Sequence, residues 1–112
     1  MTDEPNTPQM VLDAVRARFL DRLGDRCLEI EALMLTIDER GQDQALLQEI
    51  SSHVHKIAGI APTLGFANLG KAALEMEMRL SQDVTFFDWQ ACRQQIENLL
   101  DLMEDALDAP PV

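Results

Sequence analysis

The residues of this 112-residue chain best placed to do chemistry lie between Ser52 and Phe66, where His53 and His55 are followed by Lys56, Gly59, Pro62 and Gly65. An imidazole can serve as a nucleophile or a metal ligand, and its ordinary pKa of about 6.5 leaves it mostly neutral near pH 7. Which of the two histidines is available depends on the helix that carries them. At roughly 100° per residue, Leu46, Leu47, Ile50, Val54, Ile57, Ala61 and Leu64 form one apolar stripe, the side that faces a core. Measured from the centre of that stripe, His55 points roughly 130° away with Gly59 almost in line with it, whereas His53 lies only about 70° off. His55 is therefore expected in solvent and His53 half-buried. A glycine inside a helix costs about 1 kcal/mol relative to alanine. Gly59 thus needs a reason other than helix stability, and a missing side chain beside an exposed imidazole lets another molecule come close.

The order His55, Ile57, Ala58, Gly59, Gly65 resembles the signature of histidine-containing phosphotransfer (HPt) domains. That family has a phosphorylatable His, an aliphatic residue two further on, a Gly four further on and another Gly ten further on. The resemblance covers almost the whole chain and implies an all-α fold, an antiparallel four-helix bundle. It also implies that His55 is the phosphoacceptor, taking a phosphoryl group from a response-regulator receiver aspartate and passing it to another receiver. A sensor or hybrid histidine kinase would stand in the same relay. The chain would need no cofactor, magnesium being expected on the partner receiver domain, and would have no ATP-dependent kinase activity. Many members carry Lys just before the first Gly, where this chain has Ala58, and the nearest bases are Lys56 and Lys71. Either could attract the phosphoryl oxygens, Ser52 could donate a hydrogen bond to them, and Ile60 could belong to a docking patch. The rival reading is an adaptor that binds a receiver or kinase without being phosphorylated, although an adaptor has no need of His55 or Gly59. A purely structural bundle explains the core stripes and leaves the glycine unexplained.

Two other chemistries are weaker. Gly65-Phe66-Ala67-Asn68-Leu69-Gly70-Lys71 follows most of a P-loop pattern, but Ala72 stands where a Ser or Thr would hold magnesium, and helix precedes it instead of strand. His53 and His55, with Glu49 nearby, are the candidate metal ligands, yet residues two apart on a helix point about 200° from each other and cannot both reach one ion. No metal site is expected. The dimerisation domain of sensor kinases also presents a helical His, but there an acidic residue usually follows it, where this chain has Lys56.

The scaffold is a single domain over residues 1–112, with a flexible leader at 1–7 and a frayed tail at 108–112. At 46% apolar residues it can fill one core without metal or disulfide. Scarce aromatics and the lack of alternating β-branched runs favour helices. The net charge of -11 argues against nucleic acid or an anionic membrane and points to a basic or mixed protein partner. Cys27 and Cys92 fall at apolar helical positions, as buried free thiols do in a reducing compartment. With no apolar leader or spanning stretch, a cytoplasmic monomer is expected.

Thr7-Pro8 reads as a helix start. Leu12, Val15, Phe19, Leu23, Cys27, Ile30, Leu33 and Ile37 then recur at helical spacing. Gly24-Asp25 predicts a bend, or a division into a short lead-in helix and a main one. A loop is expected over 38–43, with Gly41 as terminator and Asp43 capping the helix that carries His55. Pro62 should end or kink that helix soon after Gly59, and Gly65 marks its far end or the turn beyond. Asn68 is the candidate cap of a third helix with Leu69, Ala72, Ala73, Met76 and Leu80 inside and Lys71, Glu75, Glu77 and Arg79 in solvent. A turn follows over 81–84. Thr85 and Asp88 fit a capping box before a last helix with Trp89, Cys92, Ile96, Leu99, Met103 and Leu107 inside. Four such segments joined by short loops make an up-down-up-down bundle the simplest burial of all four stripes.

Overall fold

The computed structural model describes residues 8–82 and 88–108. They form four helices, α1 (Pro8–Arg40), α2 (Gln44–Ile60), α3 (Ala67–Leu80) and α4 (Trp89–Asp108), with one 3-10 turn, Ala61–Leu64, between α2 and α3. The packed pairs are α1 with α2, α2 with α3, α3 with α4 and α4 with α1, an antiparallel up-down-up-down bundle. The expectations for the leader, Thr7, Thr85 and the residues after 108 lie outside the described residues. Asp108, assigned to the frayed tail, is the last helical residue of α4. Among the described residues no helix is long and apolar enough to cross a membrane.

The four stripes meet in one core. Leu23, Ile30 and Ile37 from α1, Ile50, Val54 and Ile57 from α2, Ala73 and Met76 from α3, and Cys92, Ile96, Leu99 and Met103 from α4 are all buried. Both cysteines are free, and burial pushes their thiols up to about 11, so both stay protonated at neutral pH.

Several local expectations are corrected. The first helix is not divided at Gly24 into a lead-in and a main part: α1 runs unbroken through that residue for 33 residues. The local penalty of one glycine, about 1 kcal/mol, is outweighed by the core contacts of Leu23, Cys27 and Ile30 on either side of it. Its first turns stretch past the end of α2, since the Arg16 Nε–H donates to the Leu64 carbonyl at 3.1 Å. Val15, counted with the core, stands there 44% exposed. Because α1 continues to Arg40, the loop to α2 shrinks from 38–43 to 41–43. Gly41 closes α1 with φ +90°, and the Asp43 carboxylate accepts the Ala45 N–H at 2.7 Å, a standard N-cap bond.

Asn68 does not cap α3: the cap position is Phe66, two residues earlier, and no side chain caps the helix there. Asp88, expected as the second member of a capping box, itself accepts the N–H groups of Gln90 and Ala91 at the start of α4. That end of α4 is fastened to α1 by Asp38, which accepts from the Trp89 indole at 2.8 Å and from Arg93 at 2.9 Å. The Trp89 hydrogen bond first, and Arg93 with it, hold the Asp38 carboxyl below its usual range.

Candidate functional site

The Asp43 cap starts α2, and the stripe from Leu47 to Ile57 seats it in the core between α1 and α3. Its far end is set by Pro62. α2 gives way after Ile60 to the tighter turn Ala61–Leu64, which Gly65 closes at φ +94°, a left-handed conformation that suits glycine. The chain then reverses into α3, whose Gly70 lies against that turn: a Cβ on Gly70 would come within 2.4 Å of Pro62 Cγ. Both glycines of the P-loop-like run are therefore accounted for by a turn and a close helix contact.

Anchored in this way, α2 presents its two histidines to different neighbours. The His53 side chain is 18% exposed and faces α1, with Nε2 2.8 Å from a Glu29 carboxylate oxygen and Nδ1 3.1 Å from the Arg26 guanidinium. Burial is the main cause that lowers its pKa, with the Arg26 and Lys56 charges acting in the same direction against Glu29. The His55 side chain is 71% exposed and turns towards α3, where its Nδ1 lies 2.6 Å from Glu77 Oε2. Its Nε2 has no partner among the described residues. The half-buried and solvent-facing positions expected for the two rings are the ones observed.

Gly59 sits one turn further along the exposed side of α2, and a Cβ there would meet nothing within 4 Å. The fold has room for a side chain and no need of the glycine, so the backbone beside His55 is bare without a packing reason. Ser52, Lys56 and Lys71 are exposed and Ile60 is 46% exposed, but none of them bonds the imidazole. Glu77 does. Sequence reasoning left it among the solvated charges of α3, whereas it is 28% exposed and engaged. A signal existed: Gly70, Ala73 and Glu77 recur at helical spacing on the α3 edge next to α2. Leu74 and Met78, three residues before Glu77 and one after it, are exposed apolar side chains on the same helix. Ile60 alone was picked out from sequence. Among the described residues no three His, Cys, Asp or Glu side chains gather as a metal site.

A four-helix bundle that holds one imidazole in solvent, with one ring nitrogen tied and the other bare, defines a class of surface-histidine module. The model of the Hpt domain matches residues 14–109, and the chain belongs to that family. Hpt domains are phosphocarrier modules, not kinases, and they work in phosphorelays with receiver domains and histidine kinases. Comparison with curated proteins and with solved structures gives no match.

Proposed function

We propose that His55 is the phosphoacceptor of a cytoplasmic phosphorelay protein and reacts through Nε2. The observation that carries this reading is the pairing of Nδ1 with Glu77 at 2.6 Å on a ring that is otherwise in solvent. In the neutral imidazole one nitrogen holds the proton and the other a lone pair, and the partner of one fixes the state of the other. With the Glu77 carboxylate as acceptor, the proton belongs on Nδ1. The lone pair of Nε2 then points into solvent, available to an electrophile.

The transfer needs no separate base on this chain. Nε2 attacks the phosphorus of a receiver's aspartyl phosphate, the bond from phosphorus to the aspartyl oxygen breaks, and the carboxylate leaves. The ring becomes a phosphorylated imidazolium that keeps its Nδ1–H, and Glu77 neutralises the positive charge. A second receiver's aspartate reverses the steps, attacking phosphorus as the N–P bond breaks and the ring returns to neutral. Phosphoryl transfer depends on in-line positioning and on neutralising charge at the phosphoryl oxygens. The receiver supplies the magnesium, and this chain, without a cofactor of its own, supplies the open approach across Gly59. Lys56, Lys71 and Ser52 stand within the exposed surroundings as candidates to meet the phosphoryl oxygens, and Ile60 with Leu74 and Met78 frames the contact.

The test is to mix the purified chain with phosphorylated receiver domains encoded in the same genome. Acid-labile, base-stable phosphate should form on the chain and be missing from His55→Ala. Equal labelling of that variant would reject the assignment.

A further inference from the structure

The seam between α1 and α2 contains a groove of about 290 Å³. Its apolar side chains are Val15, Phe19 and Ile60, and its rim is made of Arg18, Arg22, Arg26 and Lys56. The chain has only nine basic residues against twenty acidic ones, so four of the nine gather at one place in a strongly acidic protein. Three of the four have no ion-pair partner there: Arg18, Arg22 and Lys56 have no carboxylate within ion-pair distance among the described residues, although Asp21 and Asp25 share the helix with the arginines. Arg26 is turned to His53; burial first, and the charge of Arg22 after it, push its guanidinium below the usual range, with the Glu29 carboxylate acting against them. Like charges held close without direct ion pairs are unfavourable, and an anionic partner relieves them.

The groove is also placed to matter for His55. Lys56 and Ile60 directly follow His55 and Gly59 in the chain, so its edge begins one residue round the helix from the imidazole, with the bare backbone of Gly59 alongside. A body that covers His55 from the α1 side must rest on it. Val15 and Ile60 are 44% and 46% exposed, so the same contact would cover apolar surface.

We propose that this groove is the element that selects the partner. It docks receiver domains whose surface beside the phospho-aspartate presents carboxylates around an apolar side chain, and it discriminates against receivers with a basic surface there. The proposal rests on the phosphotransfer reading and adds the partner's chemistry to it. The overall charge of -11 would repel an acidic partner at long range; the four cations reverse that sign locally and set the orientation of the encounter.

The experiment uses the full chain, the Arg18→Glu/Arg22→Glu double variant and the Arg18→Lys/Arg22→Lys control against a panel of receiver domains from the same genome. Circular dichroism and thermal melting confirm that the variants fold. For a receiver that transfers to the wild type, charge reversal should raise KM about tenfold or more with kcat nearly unchanged, and should flatten the dependence of kcat/KM on salt. The lysine control should keep both parameters near wild type. The His55→Ala protein should bind the same receiver, activated with beryllofluoride, with undiminished affinity and lose that binding on charge reversal. Transfer by wild type with KM and salt dependence unaltered in the reversed variant overturns the groove and leaves the phosphotransfer reading standing. Failure of wild type to take phosphate from any receiver, with charge-dependent binding of one intact, defeats that reading and keeps the groove. Arginine-dependent binding to phosphatidylglycerol vesicles, with no receiver bound, overturns the proposal in favour of a lipid surface.

Discussion

The two seams that flank α2 each hold one histidine, and they treat it differently. Against α1, His53 has a partner at both ring nitrogens, Glu29 at 2.8 Å and Arg26 at 3.1 Å, with little solvent around it. Against α3, His55 has one partner, Glu77 at 2.6 Å, and none at its other nitrogen among the described residues. The same side chain two residues apart is thus a brace in one seam and, in the proposed reading, a reagent in the other. What separates them is the number of occupied lone-pair and N–H positions, which the helix rotation between residues 53 and 55 decides.

Substitutions can break this contrast or sharpen it. The largest effect is expected at His55: replacement by Ala should abolish phosphoryl labelling while altering stability by less than about 0.5 kcal/mol, because the ring is exposed. Labelling by a receiver and urea unfolding check the two halves separately. Gly59→Gln should leave the bundle folded, since open space surrounds that position, and should block transfer by bulk. A transfer rate equal to wild type would end the close-approach argument.

Glu77→Ala removes the acceptor that keeps the proton on Nδ1, and the transfer rate should fall roughly tenfold, the scale on which orienting partners of a histidine usually act. Stability should barely change. His53→Ala is the mirror case, expected to cost roughly 1 to 3 kcal/mol of stability by stripping Arg26 and Glu29 of a half-buried partner while leaving labelling intact.

The smallest effect is a matter of pH. Burial holds the His53 pKa below the ordinary value, so the unfolded chain takes up that proton first as the medium is acidified. The stabilising contribution of neutral His53 is complete above about pH 6.5, shrinks as pH falls below that, and is gone once pH passes the folded value. The stability difference between wild type and His53→Ala should therefore be smaller at about pH 5.5 than at about pH 7.5 in paired urea titrations.

The helices were legible because a core writes itself into a sequence at three- and four-residue intervals. Cys92, Ile96, Leu99 and Met103 were expected inside α4 and are all buried there. The same periodicity placed His53 and His55 correctly, since their directions follow from the stripe of their own helix. Gly24 misled because propensity is a local quantity and the packing around it is not. The spacing of Gly70, Ala73 and Glu77 marks an edge of α3, but it does not pair Glu77 with His55, because the register between α2 and α3 decides which turn of one lies opposite which turn of the other. The basic groove was hidden by the whole-chain charge, which says nothing of its distribution, even though Arg18, Arg22 and Arg26 recur every four residues in α1.

The contact of Gly70 with Pro62 reaches beyond the junction where it occurs. Two turns of rigid helix, about 10 Å, separate Gly70 from Glu77, so α3 acts as a lever whose fulcrum is the proline ring. Even one methyl group at the fulcrum would tilt the rod, and the carboxylate at its other end would swing relative to the ring it steadies. The hold on the exposed imidazole is thereby tied to the fit of Gly70 against Pro62 at the base.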